Sequence, residues 1–282
     1  MNIINKIGKD EPTMNRKTAL ITGSSHGIGK AVAIALARNG YDVAINYCND
    51  KKGAEDTCEQ ARALGAKAAV YQADVSNVAA MEAMFVWFEK EFGGMDLMVN
   101  NAGVSEFHPI LEVTEAQFDR INGIDWKGTF FGTQFAAKNM VAHKIPGVVI
   151  NMCSNHVDAC FPDASIYAPC KGAVATFTRN AAMELAEHGI RVVAFAPGYT
   201  KVWSDDNPIN QAMDRIIMKR FASPEEVAEI LVFLASEKCS YMTGTRITVD
   251  GGALLPSVTE NFMTGGQLLM QERRVFKEEG KR

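Results

Sequence analysis

The chain has no C-x-x-C pair, no block of like charge and no apolar run of membrane-spanning length, and each absence removes a class of protein. Its six cysteines, at 48, 58, 153, 160, 170 and 239, lack partners at metal-ligand spacing, so free thiols are expected, with neither disulfides nor bound metal. The most apolar stretches, such as Gly147–Ile150 and Val192–Pro197, fall far short of the roughly 20 residues that cross a bilayer. The opening MNIINKIGKDEPTMNRK is charged and has no apolar core of signal-peptide length, so export is not expected and the cytoplasm is the expected location. Basic and acidic residues number 29 and 33 and are interspersed, giving a net charge of −4. That balance lacks the basic footprint of a nucleic-acid binder, so neither nucleic acid nor membrane is an expected partner.

What is present points to a large α/β domain. With 282 residues and 47% hydrophobic content, the chain can bury a substantial core, and no linker divides it. Short β-branched runs at Thr18–Thr22, Val43–Tyr47, Ala68–Ala73, Leu97–Asn100, Val148–Met152, Val192–Ala196 and Ile247–Asp250 read as buried parallel strands. Amphipathic stretches near 28–39, 52–64, 78–92, 115–143, 166–188 and 224–235 alternate with them. This order predicts one doubly wound sheet with helices on both faces. A (β/α)8 barrel would need eight repeats, against about seven unequally spaced strands here. The domain is expected over 16–255, with an N-terminal extension at 1–15 and a C-terminal tail at 256–282. The segment 199–220 interrupts the rhythm and has the length of a lid beside a binding site.

The first strand runs directly into Gly23-Ser24-Ser25-His26-Gly27-Ile28-Gly29, and a helix follows. Glycines let a backbone turn tightly against a pyrophosphate, whose charge the free N–H groups and positive end of the helix then hold. An ordinary strand-to-helix turn would also use glycine, so the motif alone is weak. Its G-x-x-x-G-x-G spacing resembles the signature of the short-chain dehydrogenase/reductase family, and further motifs follow in that family's order across residues 16–252. Asp74, in Ala73-Asp74-Val75, resembles its adenine-contacting aspartate, Asn100-Asn101-Ala102-Gly103 its N-N-A-G segment, and Pro197-Gly198 its turn beside the nicotinamide. Val249-Asp250-Gly251-Gly252 resembles its last strand and turn. The resemblance implies a Rossmann-type fold and a hydride transfer between NAD(P) and a secondary alcohol or ketone. It also implies a homo-oligomer, a tetramer, paired through the helices at 115–143 and 166–188.

Ser154, Tyr167 and Lys171 match the family's catalytic set. Tyr167 and Lys171 are four residues apart, so on a helix they project from one face. A phenol normally titrates near 10, and a neighbouring ammonium favours the phenolate, which makes Tyr167 a usable general acid and base near neutrality. Without the other motifs, the same pair would read as a surface pair on a helix. Ser154 stands where the resemblance implies a hydrogen bond to the substrate oxygen. Pro169 is no obstacle within a first helical turn, whose N–H groups have no intrahelical partner. Asp125 departs from the family, which has an asparagine there in its proton relay. That relay is thought to run through the main-chain carbonyl and a water, so an aspartate of nearly the same shape is expected to preserve it. Asn122 is the alternative if the local register differs.

The expected cofactor contacts are Gly23, Ser25, His26, Gly27, Ile28, Gly29, Tyr47, Asp74, Val75, Asn101, Ala102, Gly103, Tyr167, Lys171, Pro197, Gly198 and Thr200. Tyr47 occupies the place of the acid that binds the adenosine ribose in NAD-preferring relatives. With His26, Lys51 and Lys52 nearby, NADP is favoured over NAD, unless Asp50 takes the ribose role and the lysines are merely a solvated helix start. Thr200 lies three residues after Pro197, where the family's cofactor-binding threonine lies five after. Asn155 and His156, followed by Phe161-Pro162, suit a small substrate with several hydroxyls, a sugar or polyol, although His156 could equally face water. A ketoreductase of acyl chains on a carrier protein is the alternative, disfavoured by Glu184 and Glu187 where a basic docking surface would lie. A nucleotide-sensing binding protein on the same fold is a further one, disfavoured by the retained Ser154, Tyr167 and Lys171.

Overall fold

Strand β1 (Lys17–Ile21) is buried on both faces: Ala19 and Ile21 belong to one apolar cluster, and Leu20 between them belongs to another. That two-sided burial is the mark of a parallel sheet covered by helices. The computed structural model describes residues 16–255, and the extensions at 1–15 and 256–282 lie outside the described residues.

The strands β2 (Tyr41–Tyr47), β3 (Ala68–Gln72), β4 (Leu97–Asn100), β5 (Val148–Met152), β6 (Arg191–Pro197) and β7 (Arg246–Val249) join β1 in one parallel sheet of order 3-2-1-4-5-6-7. The expected strands therefore agree with the structure to within two residues at every end. Helices α1 (Gly27–Arg38), α2 (Lys51–Ala63) and α7 (Pro224–Ala235) cover one face, packing Val32, Leu36, Cys58, Val227 and Leu231 into the first cluster. Helices α3 (Val78–Phe92), α5 (Gly128–His143) and α6 (Tyr167–Leu185) cover the other with Met81, Phe85, Phe88, Met140 and Ala181. The helix expected over 115–143 is broken. Helix α4 (Glu115–Asn122) ends in a π-helical turn, Gly123–Lys127, before α5 begins. Gly123 and Gly128 permit this wider turn to lie against the segment between β3 and α3: an added Cβ would sit 3.2 Å from Ser76 Cβ at Gly123 and 3.1 Å from the Val75 carbonyl at Gly128.

The sheet reverses direction of winding between β1 and β4, which pair directly although five elements separate them in sequence. The crevice beyond their carboxyl ends is where an open α/β sheet places its ligand. A buried polar ladder fixes this region. Asn100 Nδ2 donates to Asn151 Oδ1 at 2.8 Å and to Thr133 Oγ1 at 3.1 Å, while Asn151 Nδ2 donates to Thr178 Oγ1 at 3.1 Å, so β4, β5, α5 and α6 are mutually registered. Being satisfied, these buried amides specify alignment rather than weaken the core. Among the described residues, no helix is long and apolar enough to cross a membrane.

Candidate active site

A cavity of about 440 Å³ opens at that crevice, and most of the expected cofactor residues line it: Gly23, Ser25, His26, Gly27, Ile28, Gly29, Asp74, Val75, Asn101, Ala102, Gly103, Tyr167, Lys171 and Pro197. Gly23 has φ +61°, which only glycine adopts without strain, and a Cβ there would lie 2.9 Å from Ala102 Cα. A Cβ on Gly29 would lie 2.4 Å from the Gly23 carbonyl oxygen. The His26 side chain makes no capping bond at the start of α1, and no acid occupies the first turn. The first N–H groups of α1 therefore face the cavity with the positive helix end behind them, an arrangement that fits a pyrophosphate.

Other expected contacts fall elsewhere. Tyr47 is 6% exposed and packs into the core between α2 and the sheet; Cys48, Asn49 and Asp50 line the cavity instead. Strand alternation is the cause, since the side chain at 47 points under the helix layer. Thr200 is also outside the cavity, buried at 4% with its hydroxyl donating to Gly198 O. Val202, five residues after Pro197, lies against the turn instead, its Cγ1 3.3 Å from where a Gly27 Cβ would stand. Gly198 does not line the cavity. Its bare Cα lets β6 approach Asp250, where a Cβ would come within 2.6 Å. Lys51 is turned toward Glu55 at 3.6 Å rather than into the cavity. Asp50 caps α2 by accepting the Gly53 N–H at 2.9 Å, with its other oxygen 3.6 Å from His26 Nδ1.

Of the catalytic candidates, Asp125, Tyr167 and Lys171 line the cavity, and Ser154 does not. Tyr167 and Lys171 open α6, both buried, with the ammonium 5.5 Å from the Tyr167 ring centre. Lys171 Nζ donates to Met152 O at 3.2 Å and lies 2.8 Å from Asp125 Oδ1. Burial by itself would push the lysine down, but the Asp125 carboxylate and Tyr167 outweigh it and hold Lys171 well above its ordinary range. Asp125 is fully buried in the π-helical turn, and its second oxygen accepts the Val104 N–H at 3.2 Å. Its main-chain carbonyl already accepts the Thr129 hydroxyl at 3.0 Å. Besides that carbonyl, the residue brings its carboxylate into direct contact with the lysine. Asn122, one turn away, meets Cys170 Sγ at 3.9 Å and has no ion-pair role.

Ser154 follows β5 and is 5% exposed; its Oγ accepts the His156 N–H at 3.2 Å, which leaves the hydroxyl proton available to an acceptor. Asn155 is as buried as Ser154, and its Nδ2 has no hydrogen-bond partner among the described residues. His156 stacks on Phe161 at 3.7 Å with 5° between planes, and meets Phe107 at 5.6 Å and the edge of Tyr167 at 5.2 Å. Burial pushes its imidazole down to about 4, so it is neutral. The aromatic wall formed by Phe107, His156 and Phe161 joins two loops far apart in sequence. The loops meet through His108 N donating to Asp163 O at 2.8 Å. No local pattern in the sequence announces that meeting.

A family model described as enoyl-(acyl carrier protein) reductase matches residues 23–253. The chain belongs to the short-chain dehydrogenase/reductase family. This dehydrogenase/reductase is 37% identical to a 3beta-hydroxysteroid dehydrogenase of Eggerthella lenta over 85% of its own length and 94% of the relative's. It is 36% identical to a glucose 1-dehydrogenase of Bacillus subtilis over 86% and 97% of the two chains. A solved short-chain dehydrogenase from Burkholderia cenocepacia in complex with NADP superposes with a TM-score of 0.80, at 29% identity over 84% of this chain and 97% of that one. The protein is accordingly an enzyme, an NAD(P)-dependent oxidoreductase acting on CH–OH groups or the corresponding ketones.

Proposed function

We propose that Tyr167 is the proton-transferring acid and base, that Lys171 orients the nicotinamide ribose and favours the phenolate, and that Ser154 donates to the substrate oxygen. The observation that carries this reading is the convergence of Tyr167 and Lys171 on a cavity that a bare helix N-terminus also lines. When bound, the nicotinamide supplies the hydride acceptor or donor. Ser154, its oxygen already accepting from His156 N, directs its proton to the carbonyl or alkoxide oxygen and stabilises charge developing there. Tyr167 gives its proton to that oxygen in ketone reduction and removes it in alcohol oxidation.

NADP is the proposed preferred cofactor, with NAD also accommodated. At the Cys48–Asp50 end of the cavity, the Asp50 carboxylate is engaged by Gly53 N and faced by His26. A 2′-phosphate would meet His26 and the positive start of α2 there. The NADP complex of a solved relative is consistent with this choice.

For the substrate, we propose a small hydroxylated ring, a sugar or cyclic polyol, whose C–H face lies on the Phe107–His156–Phe161 wall while one hydroxyl reaches Ser154 and Tyr167. The glucose dehydrogenase relative supports this reading. A more apolar alicyclic alcohol is the second reading, favoured by Ile110 and Leu111, 72% and 97% exposed on the loop that carries Phe107, and by the hydroxysteroid relative. Turnover of purified enzyme with each cofactor against sugars, cyclic polyols, sterols and acyl ketones decides between them. Activity confined to sterols would overturn the first reading, and activity confined to acyl ketones would overturn both. Segment 199–220 is the proposed lid over this end.

The proposed assembly is a homotetramer. Helices α5 and α6 expose a groove of about 640 Å³ lined by Phe130, Ala137, Val141, Phe177, Ala181 and Leu185, an apolar surface suited to a second copy.

A further inference from the structure

The departure at position 125 replaces a neutral amide by a carboxylate in the least solvated part of the site. Asp125 is 0% exposed and its Oδ1 stands 2.8 Å from Lys171 Nζ. Gly103 leaves room for the pair and no more: a Cβ there would lie 2.8 Å from Oδ1 and 3.3 Å from Nζ. The Val104 N–H and Met152 O hold the two ends of the pair against neighbouring backbone. In a medium of low effective dielectric, an anion at this distance reduces the field that the ammonium exerts on a third group.

We infer that Asp125 is a positioning residue that clamps the Lys171 ammonium and withholds part of its field from Tyr167. The inference rests on Tyr167 being the proton-transferring group. Its consequence is directional: a weaker positive field favours the phenol, the form that donates in ketone reduction. Nearby titratable groups do not blur this effect. Cys153, at the end of β5, has its thiol pushed up by burial, and Cys170, beside Lys171 on α6, is pushed up to about 11. His156, across the Tyr167 ring, is pushed down to about 4, and the Arg120 guanidinium at the cavity edge pairs with Glu106 at 3.0 Å. Near pH 7 the thiols and the imidazole are neutral.

The test is the pH profile of kcat/KM in both reaction directions for wild type, Asp125→Asn and Asp125→Glu. Removing the charge in Asp125→Asn is expected to move the tyrosine-dependent limb about one unit or more toward lower pH, in reduction and oxidation alike. Asp125→Glu keeps the charge and is expected to retain the wild-type limb while lowering kcat. A purely structural role would lower kcat in both variants and leave both limbs in place, which overturns the inference. Should Asp125→Asn fail to fold, Gly103→Ala is the substitute. It keeps both charges and displaces Oδ1, Nζ or both from their present contact, and an unmoved limb in that variant overturns the inference. Loss of turnover in Tyr167→Phe, measured alongside, shows that the underlying reading stands even where the limb does not move.

Discussion

Asn101 holds the glycine turn from outside: its Nδ2 donates to the carbonyl of Gly23 at 3.0 Å and to that of Thr22 at 2.9 Å. The amide thereby ties the end of β4 to the segment expected to receive a pyrophosphate. Truncation in Asn101→Ala removes two partly buried hydrogen bonds, each worth about 0.5–1.5 kcal/mol. Cofactor affinity is expected to fall about tenfold by fluorescence titration, with the far-UV spectrum unchanged. Gly29→Ala is expected to be more severe, because its Cβ meets the backbone oxygen of Gly23.

Tyr167→Phe removes the proposed proton carrier but keeps the ring that packs against Phe107 and His156. Turnover is expected to fall at least about 100-fold, the usual scale for a positioned acid or base. Cofactor binding should stay within about threefold. Near-normal turnover would remove Tyr167 from its role.

Reduced NADP is expected to bind more tightly than reduced NAD. In Asp50→Asn, loss of the carboxylate facing His26 should tighten NADP further and leave NAD little changed, as read by titration of each cofactor. Tighter binding of NAD by the wild type would instead assign the ribose hydroxyls to Asp50.

His156 titrates at about 4 in the fold because burial disfavours its charged form, against about 6.5 in an unfolded chain. Between those values the unfolded chain binds more protons than the native one, so stability rises with pH across the window and is lost as pH falls from about 6.5 toward 4. The Tm of the wild type should therefore drop more steeply over that range than that of His156→Phe, which keeps a stacked ring on Phe161. Parallel curves would show that this imidazole does not contribute to acid sensitivity.

Light scattering at micromolar concentration should give the mass of a tetramer. Phe177→Glu, which places a charge in the groove between α5 and α6, should lower the mass while leaving the helical signal intact. A monomeric wild type would remove the proposed assembly.

What the sequence by itself determined were the features carried by local pattern. Seven buried strands and their intervening helices follow from hydrophobic period, the glycine turn from its steric requirement, and the Tyr167–Lys171 pair from helical spacing. What only the tertiary structure decided depends on where distant segments meet. Tyr47 turns inward because strand alternation points it beneath α2, leaving Cys48, Asn49 and Asp50 at the cavity. Thr200 is buried by its bridge to Ala222, and Val202 takes the place beside Gly27. Asn155 is buried, and the aromatic wall arises from residues 107, 156 and 161 on two separate loops. Asp125 meets Lys171 because a π-helical turn interrupts what reads in sequence as one continuous helix, bringing a side chain 46 positions earlier into ion-pair distance. Residue period fixes which face a side chain occupies, but the distance between two charges on different elements is set by packing, and that distance governs how they share a proton.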